Sequence, residues 1–460
     1  MPISPARKIA FEVLRRVESG AAYASDLLHA RLTEDVRRED AALATELTLG
    51  VLRRRRLLDF LLERHLQQPL ASLDLEVLIA LRLGLYQLRF LTRVAARAAV
   101  NESVDLVKQA RKHSAAPLVN AVLRRASEHS SQPLDEMVPH DSPIAERLGI
   151  LHSHPTWLVE RWLTHYGEAR TLALLEANNQ APNLAGTVHD PARRAEAIRS
   201  LEDAGMRVEP GKLLRSAFIA RGGNPTRTKA FRSGWISIQD EASQAIPLLL
   251  GVEPGLSVLD LCAAPGGKTA TLALAAGEQA LVVASDRYGH RLRVLRAQLK
   301  RIGVQQARTL VLDATAPLPF RVQFDRILVD TPCSGTGTLA RNPEIRWRLL
   351  PADLPEFQER QAAMLSRALE HLAPSGRLVY STCSLEAEEN EQVIERVLGE
   401  NRQLRAIPGR EAAQILAPHL VGDVEAAKLF DAQGFFGTFP PEQNTDGFFA
   451  AIFEMWDTKR

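Results

Sequence analysis

Apolar positions over residues 1–127 recur at helical steps of three and four. Leu78, Leu81, Leu85 and Leu88 share one face. Proline is rare there and strand-like alternation is absent, so the segment predicts an all-α domain over residues 1–130. Arg53, Arg54, Arg55 and Arg56 lie between apolar stretches. They predict the border of a buried helix, with their guanidinium groups in solvent. A further helix is expected from Asn101-Glu102 through Lys108 to Lys112. Residues 128–143 are polar and proline-rich, which marks a linker. Residues 144–237 then carry helices near 157–165 and 169–178, a strand over 184–189, a helix over 192–204 and further strands up to Ser237. That order predicts a small α+β subdomain.

From about residue 240 the pattern changes. Apolar strands are expected over 257–261, 281–286, 309–312, 324–330 and 376–381, with amphipathic helices between them. Strands alternating with helices predict a doubly wound, Rossmann-like α/β domain over residues 238–460, with ligands at the carboxyl ends of the strands. The fold class is therefore multidomain: all-α, then small α+β, then α/β.

Composition narrows the class. Hydrophobic residues make up 45% and charged residues 24% of 460, the balance of a soluble globular protein. No apolar run approaches the ~18 residues of a membrane span. The first residues lack the apolar centre of a signal peptide. Three cysteines exclude a disulfide scaffold and make a reducing, cytoplasmic setting the expectation. Charge is unevenly spread. Residues 1–127 hold 21 Lys and Arg against 14 Asp and Glu, while the remaining residues hold 36 against 41. A basic block ahead of a slightly acidic remainder points to an anionic partner, nucleic acid first.

Candidate chemistry begins at Val258-Leu-Asp-Leu-Cys-Ala-Ala-Pro-Gly-Gly-Lys-Thr269, a strand, a glycine loop and a helix start. A phosphate-binding loop needs glycine five positions before its Gly-Lys pair, and Cys262 stands there. The dinucleotide fingerprint is also missing. A nucleoside ligand without a phosphate chain fits better, S-adenosylmethionine above all. Asp286 follows Asp260 at the end of the next strand, where an acid can accept both ribose hydroxyls. Asp313 is expected to close the third strand and meet the adenine amino group, and Asp330 to close the fourth. Each acid alone could be a helix cap or a turn residue. Four at successive strand ends favour a ligand crevice.

Cys262, Cys333 and Cys383 all fall at expected strand ends on one side of the sheet. No Cys-x-x-Cys or His-x-x-His pair accompanies them, so a metal site is not expected. Cys262 reads as structural or as a backbone contact. Cys333 and Cys383 sit in polar Pro-Cys-Ser and Thr-Cys-Ser turns. Ser384 is expected to cap a helix carrying Glu386, Glu388 and Glu389 in its first turn, which would put Cys383 at a helix N-terminus. A methyl donor beside thiols suggests carbon methylation of a pyrimidine. Its C5 is too weak a nucleophile until a thiolate adds to C6. Asp330 beside the ring could hydrogen-bond N3 and support that addition.

Asp260-Leu-Cys-Ala-Ala-Pro-Gly-Gly-Lys-Thr269, Asp330-Thr-Pro-Cys-Ser-Gly-Thr-Gly337 and Ser381-Thr-Cys-Ser384 resemble the motifs of RNA cytosine-C5 methyltransferases of the Nop2/Sun type. Trp235-Ile-Ser-Ile-Gln-Asp-Glu-Ala-Ser243 and Asp446-Gly-Phe-Phe449 look like segments of the same family. The resemblance implies a class I methyltransferase fold, with Cys383 as nucleophile and Cys333 as the product-release residue. It implies cofactor contacts from Cys262, Ala263, Ala264, Pro265, Gly266, Gly267 and Lys268, and from Asp286, Asp313 and Asp330. Thr331 stands where bacterial members often have alanine.

Glu46-Leu-Thr-Leu-Gly-Val51, Val100-Asn-Glu-Ser-Val104 and Leu118-Val-Asn-Ala-Val122 resemble the NusB RNA-binding helical fold. Pro155-Thr-Trp-Leu158 and Asn178-Asn-Gln-Ala-Pro182 look like the segment between the two parts. A NusB-like block ahead of a Sun-like domain is the architecture of bacterial small-subunit (16S) rRNA cytosine-C5 methyltransferases. That resemblance implies S-adenosylmethionine as cofactor, 16S rRNA as partner, no membrane or metal, and a monomer. Two other readings stay open: the same chemistry on tRNA, and a non-catalytic RNA-binding or antitermination factor. Intact Cys333, Cys383 and Gly266-Gly267 speak against the second.

Overall fold

The computed structural model describes residues 3–455 apart from 21, 34, 130, 140, 402 and 403. It divides into two compact units. The first comprises Met1–Ala181 together with the distant segment Leu339–Leu349.

The first unit is helical. Pro5–Glu18, Arg38–Arg53, Arg55–Glu63, Leu75–Phe90, Ala96–Gln109 and Ala116–Glu128 enclose one apolar core that includes Leu14, Leu47, Leu58, Leu81 and Leu123. Leu75–Phe90 carries the leucine face the sequence announced, with Leu81 and Leu85 buried and Leu78 and Leu88 partly so. Its Arg82 is also buried, forked onto both carboxylate oxygens of Asp59 at 2.7 and 2.8 Å and reaching Glu18 at 3.0 Å. The polar stretch after Glu128 contains one helical turn, Leu134–Met137. Ile144–Leu151 and Thr156–Ala177 follow within this unit, the latter broken at Gly167 (φ 74°) where the sequence suggests two helices.

The four consecutive arginines are not left in open solvent: Arg53 is buried and Arg54, Arg55 and Arg56 are half-buried. Arg53 donates to the Ala340 carbonyl at 2.8 Å, and Arg56 donates to the His154 carbonyl at 2.6 Å. Arg54 lies over the Phe90 ring and Arg55 over Trp347. What a single sequence window cannot show is that a segment almost 300 residues away supplies acceptors and a ring. Leu339–Leu349 is anchored by Arg346, which is fully buried. Its guanidinium donates to the carbonyls of Ser153 and Asn178, both at 3.0 Å, and to Asn179 Oδ1 at 3.1 Å. Trp347 Nε1 donates to Leu52 O at 2.8 Å. Arg346→Ala would strip several buried carbonyls of their donor, so it should destabilise the fold by at least about 2 kcal/mol. Urea denaturation checks this, and a change below about 0.5 kcal/mol would contradict it.

The second unit comprises Pro182–Thr338 and Leu350–Arg460. Its first sheet is antiparallel: β1 (Leu184–Val188), β2 (Arg207–Pro210), β3 (Ala217–Arg221) and β4 (Ile236–Ile238), in the order β2-β3-β1-β4. Helix Arg194–Glu202 closes it over Val188, Leu201, Phe218 and Ile236.

The second sheet holds β5 (Val258–Asp260), β6 (Val282–Asp286), β7 (Ala307–Val311), β8 (Phe324–Asp330), β9 (Leu372–Thr382), β10 (Leu404–Ala406), β11 (Phe436–Thr438) and β12 (Phe448–Met455). The order is β10-β12-β9-β8-β5-β6-β7, with β11 on β12. Strands β5 to β9 run parallel, and β12 is antiparallel to β9. Side chains alternate between faces at the strand period of two. Val258, Leu328, Val379 and Ile452 enter one apolar cluster; Leu259, Ile327, Val329, Leu378 and Phe453 enter the other. The chain runs outward from β5 through β6 to β7, then returns to β8 on β5's other side. That reversal opens a crevice beyond the carboxyl ends of β5 and β8, where such sheets bind ligands.

Candidate active site

The glycine loop lies at this reversal, between β5 and helix Gly267–Ala276. Gly266 stands at the helix N-cap with φ 109°, a conformation glycine adopts without strain. Beside the loop is a cavity of about 180 Å³. Of the residues singled out from the sequence, Cys262, Ala263, Ala264, Pro265, Gly267, Lys268 and Asp330 line it. Asp260, the first of the four strand-end acids, joins them, and Ile238, Gln239, Ser243 and Gln298 complete the wall.

Asp260 is 1% exposed. Its Oδ2 accepts from Thr269 Oγ1 at 2.7 Å, while Oδ1 has no hydrogen-bond partner among the described residues. Burial pushes its pKa up to about 7. Asp286, at the end of β6, does not line the cavity. Its Oδ1 accepts from the Tyr288 amide at 2.9 Å and its Oδ2 pairs with Arg291 at 3.1 Å. Arg291 also donates to Ala264 O at 2.9 Å, so it ties Asp286 to the loop. Asp313 lies two residues past β7 rather than closing it. It behaves as a turn residue: Oδ1 accepts from Thr315 N at 3.0 Å and Thr315 Oγ1 at 2.7 Å, which holds its carboxyl below the usual range.

Lys268 Nζ donates to Asp330 Oδ2 at 2.8 Å, and Ser381 Oγ donates to Asp330 Oδ1 at 2.7 Å. This chain of contacts links the cavity to the ends of β8 and β9. There the two polar cysteine turns meet, with Cys333 Sγ and Cys383 Sγ 3.2 Å apart. The contact with Cys383, reinforced by burial, pushes the Cys333 thiol well above its ordinary pKa. Cys262 instead packs against the apolar cluster around Leu259 and Leu261.

Close backbone contact explains two further sequence segments. Gly337 N donates to Cys383 O at 2.9 Å, and Gly447 N donates to Gly337 O at 2.8 Å. A Cβ on Gly337 would stand 2.1 Å from the Gly447 oxygen, so only glycine fits. Asp446 N donates to Asp240 Oδ1 at 3.0 Å. The 235–243 and 446–449 segments thus meet around the turn that follows Cys333.

One expectation is corrected. Cys383 does not precede a helix N-terminus: the next α-helix is Glu391–Glu400, preceded by a single 3-10 turn, Ala387–Glu389. Ser384 Oγ does accept from Glu386 N at 3.1 Å, but the chain then folds back. Glu389 is drawn inward to satisfy Ser334 N and Ser384 Oγ. Sequence reasoning missed that role, and it missed Gln239, Ser243 and Gln298 on the cavity wall. Gln239 and Ser243 lie in the quoted 235–243 segment; Gln298 carries no signal of its own.

Strand order, glycine loop and cavity define a Rossmann-like methyltransferase fold, preceded by a helical block. Residues 247–454 match the family model described as 16S rRNA methyltransferase RsmB/F. Residues 4–128 match the NusB family, and 154–225 the ferredoxin-like domain of RsmF/B-like methyltransferases. A probable ribosomal RNA small subunit methyltransferase B from Synechocystis sp. is 34% identical over 455 residues, 97% of this chain and 98% of that protein. Its namesake from Bacillus subtilis is 32% identical, covering 96% and 97%. The crystal structure of PH0851 superposes with a TM-score of 0.81 at 25% identity, covering 99% of both chains. The chain belongs to the RsmB/F family of 16S rRNA methyltransferases.

Proposed function

We propose that this protein transfers the methyl group of S-adenosylmethionine to C5 of a cytosine in 16S rRNA, through a transient bond between Cys383 and C6 of the base. The observation that carries the reading is the pair of thiols 3.2 Å apart, one contact chain away from the glycine-loop cavity. The names of the relatives support small-subunit rRNA as substrate. The basic block over residues 1–130 supports RNA as the partner it holds, and the 238–460 domain carries the chemistry.

The cavity residues fit the cofactor. The unpartnered, buried Asp260 Oδ1 suits its ammonium group. The main chain from Cys262 to Lys268 would cradle it, and Asp286 and Asp313 lie along the same carboxyl edge for its ribose and adenine. When bound, it supplies an electrophilic methyl group. The protein's side chains do the rest. Cys383 Sγ adds to C6 as thiolate, and the displaced C5–C6 π electrons make C5 nucleophilic. A protonated Cys333, favoured by its raised pKa, donates to Cys383 Sγ and stabilises that thiolate. Asp330, fixed by Lys268 and Ser381, faces the ring at N3 and shares with it the proton that N3 gains as the thiolate adds to C6. After C5 is methylated a base takes its proton, the C–H electrons re-form the C5–C6 double bond, and the C–S pair leaves on Cys383 Sγ as thiolate. Cys333 assists that release.

Bisulfite sequencing tests the substrate, because 5-methylcytosine resists deamination. Deleting the gene should remove protection at one cytosine of 16S rRNA, and wild-type protein should restore it. Loss of protection in a tRNA, with 16S rRNA unchanged, would select the tRNA reading.

A further inference from the structure

The two thiols sit on separate turns leaving separate strands, so something must set their spacing. Both turns converge on Glu389, which is completely buried. Its Oε1 accepts from the amide of Ser334, the residue after Cys333, at 2.8 Å. Its Oε2 accepts from the hydroxyl of Ser384, the residue after Cys383, at 2.6 Å. Gln361 Nε2 also donates to Oε1 at 2.9 Å and to the carbonyl of Pro332, the residue before Cys333, at 3.1 Å. The hydroxyls of Ser334 and Ser384 lie 3.0 Å apart, and Tyr380 OH secures the Glu389 carbonyl at 2.6 Å. These carboxylate partners are neutral donors, and each belongs to a cysteine turn or braces one. Hydrogen bonds from both turns to one buried carboxyl group constrain their separation directionally, which apolar packing does not.

We propose that Glu389 is a positioning residue: its carboxylate, bonded to the residue that follows each cysteine, holds the two thiols side by side for adduct formation and release on one base. The proposal rests on the thiol mechanism above for its catalytic meaning. Its geometric content stands apart from that mechanism and can be measured apart from it.

Two readouts are taken on the full-length protein, for Glu389→Ala and Glu389→Gln. The first is oxidation by a diazene dicarboxamide. It takes the two thiol hydrogens onto its N=N bond, leaving a Cys333–Cys383 disulfide and a hydrazine. Peptide mass mapping gives the rate. The second is methylation of 16S rRNA, resolved into kcat and KM. Glu389→Ala should slow disulfide formation roughly tenfold, since bridging demands close, aligned sulfurs. It should do so although removing a nearby negative charge favours thiolate. It should lower kcat about a hundredfold, the scale of a 1 Å misplacement, with KM for RNA and cofactor little changed. Glu389→Gln keeps the acceptor for Ser334 but loses the one for Ser384, so disulfide rate and kcat should both fall part of the way toward the alanine values.

Wild-type disulfide rate in Glu389→Ala overturns the proposal, whatever its activity. Should alanine prevent folding, Glu389→Gln decides: a wild-type disulfide rate overturns the proposal, and disulfide rate and kcat reduced together at near-wild-type KM support it. Inactivity of wild-type protein on 16S rRNA would count against the proposed function, while the oxidation rate would still report on Glu389.

Discussion

Cys383→Ala should lower methyl transfer by about 10⁴-fold or more, because the proposed route to a nucleophilic C5 begins at that sulfur. Cys333→Ala should fail differently. Cys383 still adds and C5 is still methylated, but release stalls. RNA should then accumulate on the protein as a species that survives denaturing electrophoresis. Cys383→Ala should give no such species. Cys383 packs only at the edge of an apolar cluster and both thiols are partly exposed, so alanine, which removes one sulfur from each polar turn, should leave the fold intact. Circular dichroism and an unchanged melting temperature would establish that loss of activity is chemical. Stalling in Cys383→Ala and inactivity without an adduct in Cys333→Ala would reverse the two roles.

The second large effect is expected at Asp260. Its folded pKa, about 7 against an ordinary 3.8, reflects burial of the carboxylate with one oxygen unpartnered. A carboxyl raised in this way binds its proton more tightly folded than unfolded. Stability is therefore greatest below pH 4 as far as this group is concerned. It falls as pH rises from about 4 through 7. Three pKa units correspond to about 4 kcal/mol at full ionisation. Asp260→Asn keeps an acceptor for Thr269 and removes the charge. Without cofactor, the variant should be more stable than wild type by about 2–4 kcal/mol at pH 8, and no more stable at pH 4. The same substitution removes the proposed partner of the cofactor ammonium, so affinity for S-adenosylmethionine should fall at least about tenfold. Denaturation at two pH values and calorimetry check both. A variant that binds cofactor normally, or loses stability at pH 8, contradicts this account of Asp260.

Much of the catalytic sheet was legible because its signals are local. β8 is legible over Phe324–Asp330 from the apolar run Ile327–Val329 ending in an acid, and the expected bounds of β5 and β6 lie within two residues of the observed ones. The glycine loop and the three cysteines were legible from residue type and order alone. What escaped depended on distant partners. Arg53 to Arg56 carry a solvent-facing composition, yet Leu339–Leu349 and the chain near His154 give them acceptors and rings. β12 was seen only as a short motif at its start, since a run buried on both faces has no alternation to announce it. Glu389 looked like an acid in a first helical turn. Its inward course follows from unsatisfied donors on Ser334 and Ser384, one of them 55 residues back in the chain. Asp313 is legible only in part: it stands two residues past β7 rather than closing it, and one of its oxygens caps its own turn.

The most direct test is to identify the atom that holds the RNA. Cys333→Ala is incubated with S-adenosylmethionine and 16S rRNA, digested with nuclease and protease, and mapped by mass spectrometry. The account predicts one modified peptide, spanning Ser381 to Ser384, with a methylated cytidine nucleotide attached at Cys383. A nucleotide attached to any other residue, or a stalled complex without a pyrimidine–cysteine bond, would contradict it.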